Sequence, residues 1–104
     1  MMEKFLFFRN SVSDAVTIPV NRLISMEADN NSDAVEFHFE DLVDGLGQEN
    51  IFTVDVTVDK AREGMSEVSD EINNGSKALI IIGDDVTNKY VSNYITNVNA
   101  LTDI

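Results

Sequence analysis

Residues 24–40 read ISMEADNNSDAVEFHFE, and this stretch decides the fold because it predicts a β-hairpin. From 35 to 39 apolar and polar residues alternate, as in a strand with one buried face. Residues 29–33 are turn formers whose side chains bond their own backbone. The part before the turn continues a period-2 alternation that covers residues 16–28. This region is therefore expected to form antiparallel β-structure.

The rest of the chain predicts further strands and one helix. Arg22 interrupts the apolar even positions of residues 16–28, which indicates one long strand that bends or bulges midway. Pro19 cannot donate to a strand ladder, so its amide position is expected at a sheet edge or in a bulge. Further strands are predicted over residues 5–8, 52–58, 78–82 and 90–98.

A helix is predicted from about residue 60 to residue 73. Its apolar stripe, at spacings of four, three and four, consists of Ala61, Met65, Val68 and Ile72. Asp59 is a candidate N-cap, and Gly75 would supply a left-handed stop. Gly64 lies beside the stripe, where close packing on a sheet would explain a residue that costs about 1 kcal/mol against alanine.

The element order is therefore β-β-β-β-α-β-β. The expected fold class is α+β and β-rich, with one helix on a small barrel or on a strongly bent antiparallel sheet. We expect residues 1–104 to form a single domain, because this length is near the modal domain size and is sufficient for a hydrophobic core.

The chain is strongly acidic: 19 Asp and Glu residues stand against 7 Lys and Arg, a formal net charge of −12. Such a surface repels phosphate backbones and anionic lipids, so nucleic acid and membranes are disfavoured as partners. The hydrophobic share of 43% is ordinary for a folded domain, so the acidity belongs to the surface rather than to disorder. The overall charge suits a basic protein partner.

The chain contains no cysteine, which excludes disulfides, Cys-ligated metals and a Cys nucleophile. The four consecutive apolar residues near the N-terminus are too few for a signal-peptide core. The longest other apolar run, residues 78–82, is far shorter than a membrane span. We therefore expect a soluble protein of the cytoplasm.

One candidate metal site follows the spacing of a calcium-binding loop. Asp29, Asn31, Asp33 and Glu40 occupy positions 1, 3, 5 and 12 of that pattern. Position 6 is Ala34, where the loop calls for glycine, and the flanking segments alternate like strands instead of forming helices. Two interpretations stay open: a divalent-metal site, and a solvated hairpin turn, which these departures favour.

The chain has one histidine, His38, which lies between Glu36 and Glu40 on the polar face of one predicted strand. Two carboxylates and an imidazole can hold a divalent metal, and they can also form a pH-sensitive group. Same-face neighbours on a strand lie about 7 Å apart, so one ion would need help from another strand. The alternative is the solvated outer face of a half-buried strand.

The sequence offers little for catalysis. Pairs of acids occur at residues 40–41, 70–71 and 84–85, but nothing in the pattern marks any of them as buried. A Ser-His-Asp spacing and a phosphate-binding glycine loop are both missing. We therefore predict a protein that is not an enzyme and that needs no cofactor.

Residues 79–86, LIIIGDDV, followed by a short strand from Tyr90, resemble the second signature of Sm/LSM-like small barrels. In that family an apolar strand ends in Ile-Arg-Gly-Asp or Ile-Arg-Gly-Asn. The resemblance implies an SH3/Sm-like barrel, a ring oligomer and RNA binding at Ile82, Gly83 and Asp84. Two departures are that Ile82 replaces the arginine that stacks on RNA bases, and that the helix precedes this strand instead of preceding all strands.

Residues 16–20 (VTIPV), 24–27 (ISME), 59–63 (DKARE) and 72–73 (IN) carry a second resemblance. The layout that they mark is similar to that of small acidic proteins of unknown function from marine tailed bacteriophages. Those proteins have a short strand, a long strand, a hairpin, a helix and two last strands. This resemblance implies a role in a virion or in its assembly, and it names no site residues.

The sequence thus predicts a non-catalytic protein-interaction or assembly module that self-associates as a homo-oligomer, and the second resemblance implies that it is phage-derived and located in the host cytoplasm or in a virion. The reasons are the missing catalytic groups and a sheet edge near Pro19 with short end strands that can pair between subunits. Two alternatives stay open, namely an Sm/LSM-like RNA-binding module and a divalent-metal-binding domain.

Overall fold

The structure, a computed structural model, describes residues 3–29, 32–40 and 50–101. In chain order the elements are β1 (Phe5–Ser11), β2 (Asp14–Pro19), β3 (Leu23–Ala28), β4 (Ala34–Phe39), β5 (Asn50–Val56), α1 (Ala61–Asn74), β6 (Leu79–Asp84), β7 (Lys89–Tyr90) and β8 (Ile95–Val98). A short 3-10 turn, Val20–Arg22, lies between β2 and β3. The predicted α+β, β-rich class is confirmed, and so is the hairpin, which β3 and β4 form as an antiparallel pair.

The strands form two four-stranded sheets rather than one closed barrel. Sheet A has the strand order β2-β1-β6-β7, and sheet B has the order β3-β4-β5-β8. Neighbouring strands are antiparallel except for β1 and β6, which run parallel. The barrel interpretation is therefore wrong for the described residues, because both sheets keep open edges.

The long strand predicted over residues 16–28 is divided between the two sheets. β2 ends at Pro19, whose missing N–H suits a strand end, and the 3-10 turn leads the chain across to β3. β2 is an edge strand of sheet A, as expected for a segment that contains proline. Arg22, which breaks the alternation, is the last residue of the turn. The interruption in the pattern thus marks a change of sheet.

The last predicted strand is divided in the same way, so the observed order is β-β-β-β-β-α-β-β-β. β7 pairs with β6 in sheet A, whereas β8 pairs with β5 in sheet B. The separation occurs at Ser92, whose buried hydroxyl donates to Glu67 on α1 and accepts from the amide of Tyr94. Each of the two strands that the sequence predicts as continuous, over residues 16–28 and 90–98, therefore contains the point at which the chain passes from one sheet to the other.

The core lies between the sheets and is organised around Phe8 of β1. Its ring contacts Phe37 edge-on with centroids 5.1 Å apart, and the centroids of Phe39 and Phe52 lie at 6.1 and 5.6 Å. All four rings are almost completely buried. Aromatic pairs of this kind add about 0.5–1.5 kcal/mol each beyond area burial. The cluster joins the sheets, because Phe8 belongs to sheet A and the other rings belong to sheet B.

The helix forms where the sequence predicts it, but its ends are capped differently. Asp59 does not cap it: α1 begins at Ala61, whose N–H donates to Ser32 Oγ at 3.3 Å. Gly75 has extended backbone (φ −73°, ψ 158°), so it is not the expected left-handed stop. Instead, the Lys4 ammonium donates to carbonyls of the last turn and to that of Gly75 at 2.9 Å, where its charge complements the helix dipole.

Two glycines differ in whether the packing requires them. A Cβ on Gly64, in the middle of α1, would lie 3.6 Å from Val56 Cγ1, which is an ordinary contact. A Cβ on Gly83, in β6, would lie 2.5 Å from Val98 Cγ2, which leaves no room for it. Close packing therefore explains Gly83 but not Gly64, contrary to the expectation from the sequence.

Alanine substitutions at these two positions should change stability in opposite directions. Gly64→Ala removes the penalty of glycine in a helix and should raise the free energy of unfolding by about 0.5–1 kcal/mol. Gly83→Ala forces β6 away from β8 and should lower it by about 1–3 kcal/mol. Urea denaturation followed by circular dichroism measures both values. A loss of stability in Gly64→Ala would mean that α1 packs more tightly on β5 than described.

Candidate functional site

One edge of sheet A is left open beside a groove. β7 pairs with β6 only through Gly83 and Asp84, so residues 79–81 have no strand on that side within the described chain. The groove along this edge measures about 560 Å³. We call it the β6-edge groove, and its lining consists of Glu71, Lys77, Ile95 and residues 79–81 and 88–93.

The groove exists because the chain turns away from β6 directly after β7. The last bond to β6 is donated by the Val91 amide to the Ile82 carbonyl at 3.3 Å. Beyond it, the hydrogen bond from Ser92 to Glu67 directs the chain toward α1 and then to β8. Ser92 is only 1% exposed, whereas its acceptor Glu67 is an exposed residue, so the bond is partly buried. The segment that could have covered residues 79–81 is thus held elsewhere.

The open edge offers backbone hydrogen-bonding groups. On the other side of β6, the Phe5 amide of β1 donates to the Ala78 carbonyl at 2.8 Å. In a parallel ladder, alternate residues turn their N–H and C=O groups toward the same neighbour. Leu79 and Ile81 therefore direct their backbone groups away from β1 and toward the groove. An extended chain lying there can complete the pairing that β7 leaves unused.

The side chains of the groove are partly apolar and locally basic. Leu79 is 45% exposed, and Ile81 is half-buried beside it. Lys77 and Lys89 also line the groove, and neither forms an ion pair with an acidic residue that the structure describes. Glu71 is the one acid among the described lining residues. In a chain with 7 basic and 19 acidic residues, this is a local excess of positive charge.

An ion pair fastens β6 to β1 close to the groove. Arg9 donates from Nε and Nη2 to the two Asp84 oxygens, at 2.8 and 2.7 Å, and the Asp84 side chain is 5% exposed. The Val86 amide also donates to Asp84, at 3.0 Å. The guanidinium holds the pKa of the Asp84 carboxyl well below its usual range. Asp84 therefore stays ionised and stabilises the turn between β6 and β7.

The next residue, Asp85, also accepts hydrogen bonds within the structure. Its carboxylate accepts hydrogen bonds from the Tyr90 hydroxyl at 2.7 Å and from the Val98 amide at 3.1 Å. Burial raises the pKa of Tyr90 to about 12, and the hydrogen bond to Asp85 contributes further. The acidic pair at residues 84–85, a candidate for acid–base chemistry in the sequence, thus joins β6, β7 and β8.

The Arg9–Asp84 ion pair should make the free energy of unfolding depend on pH in the acidic range. The pKa of Asp84 in the folded protein lies below the unfolded value of about 3.9, so the chain takes up a proton on unfolding in acid. The stabilisation is present above about pH 4 and is lost as the pH falls toward the folded pKa. Asp84→Asn should lower stability at pH 7 and reduce proton uptake on unfolding near pH 3 by up to about one proton.

Urea denaturation at a series of pH values measures this uptake from the slope of the unfolding free energy. Glu40→Gln removes an exposed carboxylate and is the control for the loss of one acidic side chain. Identical slopes for Asp84→Asn and the wild-type protein would contradict the lowered pKa of Asp84.

The three residues that match the Sm/LSM signature are not exposed. Ile82 is completely buried, Gly83 lies against the Tyr90 side chain, and Asp84 is bound to Arg9. None of the three presents a surface to a base. RNA binding through these residues would require sheet A to rearrange.

The candidate calcium ligands are divided between the two ends of β4. Asp29 and Asp33 lie together, since the Asp33 amide donates to the Asp29 carboxylate at 3.0 Å, and the hydrogen bond with Asp29 raises the pKa of Asp33. Asn31 lies outside the described residues. Glu40 follows the other end of β4, about 20 Å away at the usual rise of an extended chain. One ion therefore cannot contact both Asp33 and Glu40.

The histidine meets a different pair of acids from the one that the strand pattern predicts. His38 Nε2 lies 3.1 Å from Glu36 Oε1 and 3.6 Å from Glu27 Oε2, on the outer face of sheet B. Glu27 reaches this position from the neighbouring strand, where it is paired with Glu36. The candidate set of Glu36, His38 and Glu40 is thus replaced by Glu27, Glu36 and His38, whose ligand atoms all lie within 4.8 Å of one another.

Sequence reasoning missed Glu27 and the β6-edge groove for related reasons. Glu27 is an odd position in a run whose even positions are apolar, so the pattern correctly marks it as polar but cannot name its neighbour. The groove depends on where the chain goes after Tyr90. The polar residues Ser92 and Asn93 were the available signal, because they interrupt the alternation within the last predicted strand.

Comparisons of the chain with protein-family models, with curated protein sequences and with solved structures gave no match. None of the helical residues in the described ranges forms a segment both long and apolar enough to cross a bilayer. The groove and the charged groups around it are therefore the basis on which function is inferred.

Proposed function

We propose that this protein is a non-catalytic interaction module, which binds an extended acidic segment of a partner protein as an added strand beside β6. The observation that carries the proposal is the open edge of β6. Residues 79–81 pair with β1 on one side and face a groove of about 560 Å³ on the other. Strand addition to an exposed sheet edge is a recurring mode of peptide recognition.

Backbone and side-chain contacts have different parts in this recognition. The backbone groups of Leu79 and Ile81 can bond to any extended chain, and these bonds provide affinity that does not depend on sequence. The exposed Leu79 side chain favours apolar partner residues at alternate positions, because alternate side chains of a strand lie on one face. The preferred segment is therefore extended and alternating.

The charge of the groove favours carboxylates in the bound segment. Lys77 and Lys89 are available, since neither forms an ion pair with a described acidic residue. An ion pair formed in a groove is screened less than one on an open surface. The overall acidity suits a basic partner, but the local charge at the open edge supports an acidic segment.

Two further observations support a non-catalytic role and a partner other than a second copy. The carboxylates of Asp84 and Asp85, in the turn between β6 and β7, are held in structural hydrogen bonds. Two copies with a net charge of −12 each repel one another, whereas a short segment carries fewer charges. Self-association, assembly in a virion and a cytoplasmic location stay predictions from the sequence. Light scattering at two protein concentrations tests the first.

An alternating valine–threonine heptapeptide with an aspartate at each end should bind the β6-edge groove of the full chain. In amide NMR spectra it should shift the signals of residues 79–81 and of the neighbouring β7. Two N-methylated forms of the peptide test whether it binds by strand pairing or only by apolar contact. Each form carries its N-methyl groups on the amides of one edge of the extended peptide, and the two forms differ in which edge that is. Only the form blocked on the edge that faces β6 should lose binding, because it can no longer donate to β6.

Exchange of the terminal aspartates for lysines tests the role of charge. The lysine peptide should bind more weakly than the aspartate peptide. In the double variant Lys77→Glu with Lys89→Glu the order of affinities should be reversed, so that the lysine peptide binds more tightly. Lys60→Glu is the control, because Lys60 lies outside the groove and the substitution changes net charge in the same direction. Equal binding of both peptides, or shifts confined to β2 or β3, would contradict the proposal.

A further inference from the structure

We propose a second site, independent of the groove: Glu27, Glu36 and His38 form a binding site for a divalent transition-metal ion of the Zn²⁺ type on the outer face of sheet B. Their ligand atoms all lie within 4.8 Å of one another. The three residues belong to β3 and β4, which pair directly, so strand pairing rather than a loop holds them together.

A β-bulge in β3 underlies this arrangement. Leu23 lies opposite Phe39, whereas Ser25 lies opposite His38, so Ile24 is an extra residue in the pairing. Ile24 is accordingly 54% exposed, although it continues the apolar pattern of the even positions. Bulges re-aim side chains and are frequent beside functional sites.

The bulge exchanges the two faces of β3. Because side chains alternate along a strand, unshifted pairing would set Met26 opposite Glu36 and turn Glu27 toward the inner face. The observed shift places Met26 opposite Phe37, against the core, and Glu27 opposite Glu36. One inserted residue therefore brings the two carboxylates to the same face as the imidazole.

The two distances from the imidazole to the carboxylates are close to the edge length of a tetrahedral metal site. His38 Nε2 lies 3.1 Å from Glu36 Oε1 and 3.6 Å from Glu27 Oε2. Ligand atoms about 2.0–2.1 Å from a tetrahedral zinc ion lie about 3.3 Å from one another. Small side-chain rotations of the two glutamates, which are 58% and 42% exposed, can therefore seat three ligands and leave one position for water.

Neighbouring groups restrain the ligands to different degrees. The His38 side chain is only 12% exposed, because β4 lies between β3 and β5. The Ser25 hydroxyl donates to Glu27 Oε2 at 3.2 Å and so orients the most exposed ligand. The imidazole is thus the fixed member of the set, and the carboxylates close on the ion from one side.

A cation at this position also reduces an electrostatic repulsion between two residues of the sheet. Glu27 and Glu36 lie directly opposite each other, and like charges at such positions destabilise strand pairing. A protonated imidazole would relieve the same repulsion, so an ion pair without metal is the alternative. The mixed nitrogen and oxygen ligands favour Zn²⁺ over Ca²⁺ and Mg²⁺, which prefer oxygen ligands alone.

Zinc should bind with one ion per chain to the untagged, EDTA-treated protein. NMR signals of the imidazole report binding without ambiguity, because His38 is the one histidine of the chain. Co²⁺ in place of zinc should give the visible absorption of a four-coordinate site. By titration calorimetry, His38→Gln and Glu27→Gln should each weaken zinc binding by about tenfold or more. Glu40→Gln removes an exposed carboxylate outside the set and should leave the affinity unchanged.

Two results would overturn the proposal. Zinc affinity that is the same in His38→Gln as in the wild-type protein would assign the binding to scattered carboxylates. Imidazole signals that do not respond to millimolar Zn²⁺ would leave a histidine–glutamate ion pair without metal. Circular dichroism of each variant verifies the fold, and Glu27→Gln keeps the test valid if His38→Gln unfolds, because Glu27 is exposed.

Discussion

The packing of Phe8 against the phenylalanine rings of β4 and β5 is the contact on which the rest of the structure depends. It joins the two sheets, and it determines which residues of each strand face outward. Since side chains alternate along a strand, burial of the β4 rings turns Glu36 and His38 to the outer face of sheet B. Burial of Phe8 likewise turns Arg9 outward, where it meets Asp84. The outward orientation of Arg9, Glu36 and His38 therefore follows from one aromatic cluster, whereas the position of Glu27 also requires the bulge at Ile24.

The charged residues that give the net charge of −12 are unevenly distributed over the two sheets. Lys77 and Lys89 line an open edge of sheet A, whereas Glu27 and Glu36 face each other on sheet B. One location attracts carboxylates and the other attracts cations. Because the two locations are on different sheets, an extended segment and a metal ion need not compete for the same residues. The net charge does not show this difference between the two locations, because it is a sum over all residues and carries no information on their positions.

Much of the fold could be predicted from local patterns, and the errors have a common cause. The hairpin, β5 and α1 follow from alternation or from an apolar stripe within one segment, and these predictions are confirmed. Residues 16–28 and 90–98 also alternate, yet each crosses between sheets, because alternation does not specify the neighbouring strand. The ends of α1 are capped by Ser32 and Lys4, which are remote in sequence and were therefore not foreseen.

By itself, the sequence determined the strand-rich class, the position of the helix and the polar character of the groups in both proposed sites. These properties depend on the period of each segment and on residue type, which are local. Only the tertiary structure decided the parallel pairing of β1 with β6, the position of the bulge at Ile24 and the open edge at residues 79–81. These features depend on register between strands that are distant in sequence. Register is chosen by burial of a shared core, a constraint that no single segment carries.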